Sequence, residues 1–117
     1  MKNQDILILS KNNNIEKTLS NHIELKDFII DSTNCCATAV EMIKDKCYKL
    51  VIIVEDIDEI KPFAFIHNLN LMQIDVPCVI ISENINADNV SLAYDLGAYD
   101  ILSDNIDDNL INIIKNI

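Results

Sequence analysis

The run Leu50-Val51-Ile52-Ile53-Val54 is followed at once by Glu55-Asp56-Ile57-Asp58-Glu59. Five consecutive apolar residues, most of them β-branched, predict a strand buried on both faces, and the charged run ends it abruptly. In α/β proteins, ligands and chemistry gather at the carboxyl end of such a strand. Its last residue here is Val54, a hydrocarbon with no lone pair to offer.

The rest of the chain alternates around this strand. Asp5 to Leu9 predicts a first buried strand, and Ser10 to Asn14 a polar loop whose asparagines suit a helix cap. Ile15, Leu19 and Ile23 fall at i, i+4 and i+8, one helical stripe. Lys26 and Asp27 turn the chain into a short second strand, Phe28-Ile29-Ile30, with Asp31 to Asn34 read as a loop. Cys36, Val40, Ile43 and Cys47 make a second stripe. Beyond Lys61-Pro62, Phe65 or Ile66, Leu69 and Met72 predict a third helix. Pro77 precedes a fourth strand, Cys78 to Ile81, and Ser82 to Asn86 form a loop. Val90, Ala93 and Tyr94 line a fourth helix, with Gly97 placed as its left-handed stop. Tyr99 to Leu102 predicts a fifth strand, and Leu110, Ile113, Ile114 and Ile117 a final helix. Five strands alternating with five helices predict an α/β fold, a doubly wound parallel sheet with helices on both faces.

Composition narrows the function. The 117 residues suit one domain over positions 1–117, and a single Gly argues for a helix-rich globule. The net charge is −10 and there is no Arg, so phosphate backbones and anionic membrane surfaces are repelled; neither nucleic acid nor membrane is an expected partner. No apolar run approaches the ~20 residues of a membrane span, and the start lacks a signal peptide's apolar core, which predicts a cytoplasmic protein. Cys35, Cys36, Cys47 and Cys78 lack zinc-type spacing; the adjacent pair reads as two small helix residues, one of them buried. His22 and His67 read as surface histidines on helices.

Val76-Pro77-Cys78-Val79-Ile80-Ile81-Ser82, followed by Leu96-Gly97-Ala98-Tyr99-Asp100-Ile101-Leu102, resembles the receiver domain of bacterial-type response regulators, as does Ala39-Val40 in the second helix. The match spans nearly the whole chain. It implies the flavodoxin-like (βα)5 fold with strand order 2-1-3-4-5. It also implies a phosphorelay site, which this chain departs from. The family holds Mg²⁺ with two acidic residues after the first strand, where this chain has Ser10 and Lys11; its nucleophilic Asp falls on Val54; its Lys-Pro after the fifth strand falls on Asp104 and Asn105. Only Ser82 keeps the family's hydroxyl, and without a phosphoryl group it is expected to bond a loop amide. Ile101 stands where the family often has a rotating aromatic residue.

The resemblance therefore implies a pseudo-receiver: no enzyme, no cofactor and no metal, acting in two-component-type signalling by binding a protein partner or a fused effector domain. The family's usual docking face, the fourth helix, fifth strand and fifth helix, corresponds to Asp88 to Ile117 and includes Tyr94, Tyr99 and Ile101; it is also the expected homodimer face. Lys11 and Asp104 carry charges opposite to the family's, and either pair across the pocket or remain two solvated loop residues. Two alternatives stand beside this reading. One is a working receiver whose acceptor is displaced to Glu55 or Asp56. The other is a flavodoxin-like small-ligand module, poorly served by a chain with no Gly-rich phosphate loop.

Overall fold

Leu50–Val54 forms β3, and all five of its residues are buried. In the structure, a computed structural model, residues 5–11, 14–22, 25–55, 61–83, 85–103 and 108–116 are described. The elements run β1 (Asp5–Leu9), α1 (Asn14–Ser20), β2 (Ile29–Thr33), α2 (Cys36–Asp45), β3, α3 (Pro62–Leu71), β4 (Cys78–Ile81), α4 (Ala87–Asp95), β5 (Asp100–Leu102) and α5 (Asp108–Asn116). The strands form one sheet in the order β2-β1-β3-β4-β5, and every neighbouring pair is parallel.

Strand side chains alternate between the two faces, so an unbroken apolar strand builds two cores at once. On one face Leu7, Leu9, Val51, Ile53 and Ile80 pack with Ala39 and Ile43 of α2, Phe65 and Leu69 of α3, and Ala93 of α4. On the other Ile6, Ile8, Ile52, Val54 and Ile81 pack with Ile15 and Leu19 of α1 and Leu110, Ile111 and Ile114 of α5. Among the described residues no helix is long and apolar enough to cross a membrane.

Several elements differ from the sequence expectation. β2 does not end at Ile30: it runs through Asp31, Ser32 and Thr33, which pair in register with Leu7, Ile8 and Leu9. An edge strand is recruited by the backbone ladder of its neighbour, and polar side chains are tolerated there because one edge faces solvent. Cys47 lies beyond the end of α2 and is exposed, since the helix stops at Asp45. Cys35 and Cys36 are both half-buried, Cys35 as the cap residue before α2 and Cys36 as its first residue. Met72 is the cap of α3 and not a core position. His22 follows the end of α1, and only His67 lies on a helix. Ile111 joins Leu110 and Ile114 in the core, which widens the α5 stripe. The expected contributions of Asn12, Asn13, Ile23 and Ile117 fall outside the described residues.

α3 and α4 end by the same device. After α4, the Gly97 N–H donates to the Tyr94 carbonyl and the Ala98 N–H to the Ala93 carbonyl; after α3, the Gln73 N–H donates to Asn70 and the Ile74 N–H to Leu69. This paired pattern is the Schellman stop, which needs one left-handed residue. Gly97 supplies it at φ 89° without a Cβ, as its position suggested. Gln73 supplies it at φ 58°, where a side chain makes the conformation costly.

Candidate functional site

The carboxyl edge of the sheet brings Ser10, Glu55 and Ser82 to neighbouring strand ends. Ser10 follows β1 and is buried, its N–H donating to the Thr33 carbonyl at 3.0 Å; Lys11, the next residue, is exposed. Val54 closes β3 at 6% exposure, and its side chain belongs to the apolar cluster with α1 and α5. Val54 pairs with Ile81, so the residues one step further, Glu55 and Ser82, emerge side by side.

That register has a chemical consequence. The Glu55 N–H donates to the Ile81 carbonyl at 2.9 Å, carrying the ladder one residue past the strand. The Ser82 hydroxyl, in a residue only 2% exposed, donates to Glu55 Oε1 at 3.0 Å. Ser82 is itself fixed by its N–H, which donates to the Leu102 carbonyl of β5 at 2.9 Å. The Ser82 hydroxyl thus donates to a carboxylate, where the sequence suggested a loop amide; the parallel pairing of β3 and β4 delivers that carboxylate to it. A hydroxyl bonded to an ionised oxygen is among the stronger neutral-donor contacts. Asp104 and Asp56 fall outside the described residues, and with Asp104 the expected pairing to Lys11.

Mg²⁺ calls for several hard oxygen ligands in octahedral geometry. The end of β1 offers a buried hydroxyl and then a lysine, and an ammonium group repels a divalent cation. Among the described residues no group of three or more His, Cys, Asp or Glu side chains is placed to hold a metal ion. These residues do not fit the ion that the resemblance implies.

On the expected docking face, Tyr94 of α4 is 52% exposed and Tyr99, just before β5, is 49% exposed, with Leu92 also open to solvent. The Tyr94 hydroxyl donates to Asp100 Oδ1 at 3.0 Å, and this hydrogen bond, with the Asp100 charge, raises the phenol's pKa. Ile101 is different. It is buried against the core of the α2–α3–α4 face, so it supports the face from beneath and offers no surface to a partner.

Sequence reasoning missed a second polar cluster. Lys46 and Tyr48, between α2 and β3, meet acidic residues of β1 and β2. Lys46 Nζ lies 2.9 Å from Asp31 Oδ2 and 3.6 Å from Asp5 Oδ2, and the Tyr48 hydroxyl donates to Asp31 Oδ2 at 2.7 Å. Burial acts to raise the Asp31 carboxyl, but the hydrogen bonds from Lys46 and Tyr48 outweigh it and hold Asp31 below its ordinary value. The Lys46 ammonium is raised by its hydrogen bond to Asp31. Burial, then the Asp31 bond, raises the Tyr48 phenol strongly. The signal available in the sequence was the polar run Asp31 to Thr33, which makes sense as an edge strand once a lysine and a tyrosine face it. Cys78 is buried in β4, and burial pushes its thiol up to about 12, leaving it protonated and inert.

No family model and no curated protein sequence matches the chain. Solved structures do match it. The receiver domain of Francisella response regulator 1452 superposes with a TM-score of 0.85 at 18% identity, covering 97% of this chain and 94% of that one. The beryllofluoride-activated NtrC4 receiver domain, solved as a dimer in solution, gives 0.84 at 18% identity over 96% and 93%. HP1043, an orphan response regulator of Helicobacter pylori, gives 0.79 at 18% identity over 96% and 93%. The chain therefore has the CheY-like receiver-domain fold, with the flavodoxin-like strand order 2-1-3-4-5.

Proposed function

We propose that this receiver-fold domain is a pseudo-receiver in two-component-type signalling, which works by docking protein partners and does not accept a phosphoryl group. The observation that carries this reading is Val54. It ends the central strand at the edge where the fold concentrates chemistry, and it is a core hydrocarbon. A valine cannot attack phosphorus. The lysine after Ser10 and the commitment of Ser82 to Glu55 point the same way.

The signal then passes through surface contacts. The face bearing Tyr94, Tyr99 and Leu92 is the proposed docking surface for a partner protein or a fused effector domain, with self-association through the same face as the rival use. A net charge of −10 opposes pairing of identical copies and favours a partner of complementary charge. The domain is proposed to need no cofactor, and to act in the cytoplasm.

Glu55 supports one second reading. Its carboxylate lies beside the Ser82 hydroxyl at the sheet edge, where a displaced acceptor would sit. Incubation with acetyl phosphate and Mg²⁺, followed by intact-protein mass spectrometry, decides between the two. The pseudo-receiver reading expects no added phosphoryl mass and no response to beryllofluoride. A phosphoryl adduct that disappears in Glu55→Gln establishes the displaced acceptor instead.

A further inference from the structure

α2 and α3 leave a groove of ≈ 410 Å³ between them, lined by Ala37 and Val40 from one side and by Phe65, Asn68, Leu71 and Met72 from the other. Leu71, the last residue of α3, is 69% exposed and Met72, its cap, 41% exposed, although Phe65, Ile66 and Leu69 of the same helix are buried. Their position is fixed and not a fraying accident. The left-handed Gln73 stops α3 directly after them, and the Ile74 N–H bonded to the Leu69 carbonyl ties the chain back onto the helix. A non-glycine residue held in that conformation is strained, which the fold accepts to end the helix there.

We infer that this groove receives an amphipathic helix of a partner protein, with a cationic outer face. The lining runs from Ala37 to Val40 on α2 and from Phe65 to Met72 on α3, the latter about two turns of helix, a length that an incoming helix can follow. Apolar side chains at i, i+3, i+4 and i+7 of the incoming helix fill the trough, the flexible Met72 adapts to them, and Asn68 supplies the one side-chain amide in the lining. Charge selects the occupant. Helical spacing puts exposed Glu41 one turn from Ala37 and exposed Lys44 one turn from Val40, so the local field is mixed. The whole-molecule field is not: with 19 acidic residues against 9 lysines, the domain repels a second copy of itself and draws a cationic partner. These residues are distinct from Tyr94 and Tyr99, so the groove is a second docking surface, and its test does not depend on the phosphoryl chemistry of the sheet edge.

The probe is a synthetic Leu/Lys peptide of about four helical turns, with leucines at the spacing above. It is titrated into the methyl-labelled domain and followed by NMR. Saturable shifts at Val40, Leu71 and Met72 are expected. Ala37→Lys, which narrows the groove and adds a repelling charge, and Leu71→Ser, at an exposed position, are each expected to weaken binding by about tenfold. A Leu/Glu peptide of the same spacing is expected not to bind. Shifts centred on Tyr94 and Tyr99, equal binding of the acidic peptide, self-association of the domain through the groove, or affinities of both variants within about twofold of the parent would each overturn the assignment.

Discussion

The Ser82 hydroxyl donates to Glu55 Oε1 at 3.0 Å across the carboxyl ends of β4 and β3. The bond follows from register: with Val54 opposite Ile81, the next residue of each strand emerges beside the other. It joins a nearly inaccessible hydroxyl to the first residue of the acidic run, and so anchors the start of the segment that follows β3.

Ser82→Ala is expected to cost about 1–2 kcal/mol, because a hydrogen bond to an ionised group is lost at a site with little water. Glu55→Gln keeps an oxygen acceptor and is expected to cost less than half as much. Urea denaturation of both single variants and the double variant measures the coupling. Additive losses, with no interaction energy between the two sites, would show that the bond contributes nothing.

Restoring an acid at the end of β3 is expected to harm the protein. Val54→Asp places a carboxylate in the apolar cluster with Ile81, Ile111 and Ile114. The expected loss is about 2–4 kcal/mol at neutral pH, relieved as the carboxyl is protonated in mild acid. Thermal melts at pH 7 and pH 5 check both parts. A variant as stable as the parent would mean that position 54 is wetter than its burial implies.

The two helix stops give a matched pair. Gln73→Gly removes a Cβ from a left-handed residue and is expected to stabilise the fold by about 0.5–1 kcal/mol. Gly97→Ala adds one at φ 89° and is expected to destabilise by about 1 kcal/mol, through backbone strain alone, because a Cβ there meets nothing within 4 Å. Chemical denaturation midpoints should move in opposite directions for the two substitutions.

The cluster around Asp31 predicts the shape of the pH–stability curve. The Asp31 carboxyl is lowered in the folded state, so its contribution is complete above its ordinary value of 3.8 and is lost as pH falls through the lower folded value. Lys46 and Tyr48 are raised, so their contributions are complete below their ordinary values of 10.5 and 10.0 and are lost as pH climbs through the folded ones. Asp31→Asn should therefore flatten both limbs of the curve, and Tyr48→Phe, which removes one bond to that carboxylate, should lower the plateau by about 1 kcal/mol. Melting temperatures between pH 3 and pH 11 read all of these. An unchanged acid limb in Asp31→Asn would show that another carboxylate controls it.

The amino-acid order alone carried the alternation of five strands and five helices, the full burial of β3, the inert end of the central strand at Val54, and the stop at Gly97. Each of these is a local property: an unbroken β-branched run must be covered on both faces, and a glycine after a helix needs no partner to turn left-handed. What only the tertiary structure decided depends on which strand lies beside which. The β1 ladder drew Asp31 to Thr33 into an edge strand that the polar sequence disguised as a loop. The β3–β4 register set Glu55 against Ser82, and packing on the α2–α3–α4 core buried Ile101 while Tyr94 and Tyr99 stay open. Those pairings join residues 24 to 27 positions apart, and spacing along a chain holds no record of them until backbone hydrogen bonds fix the register.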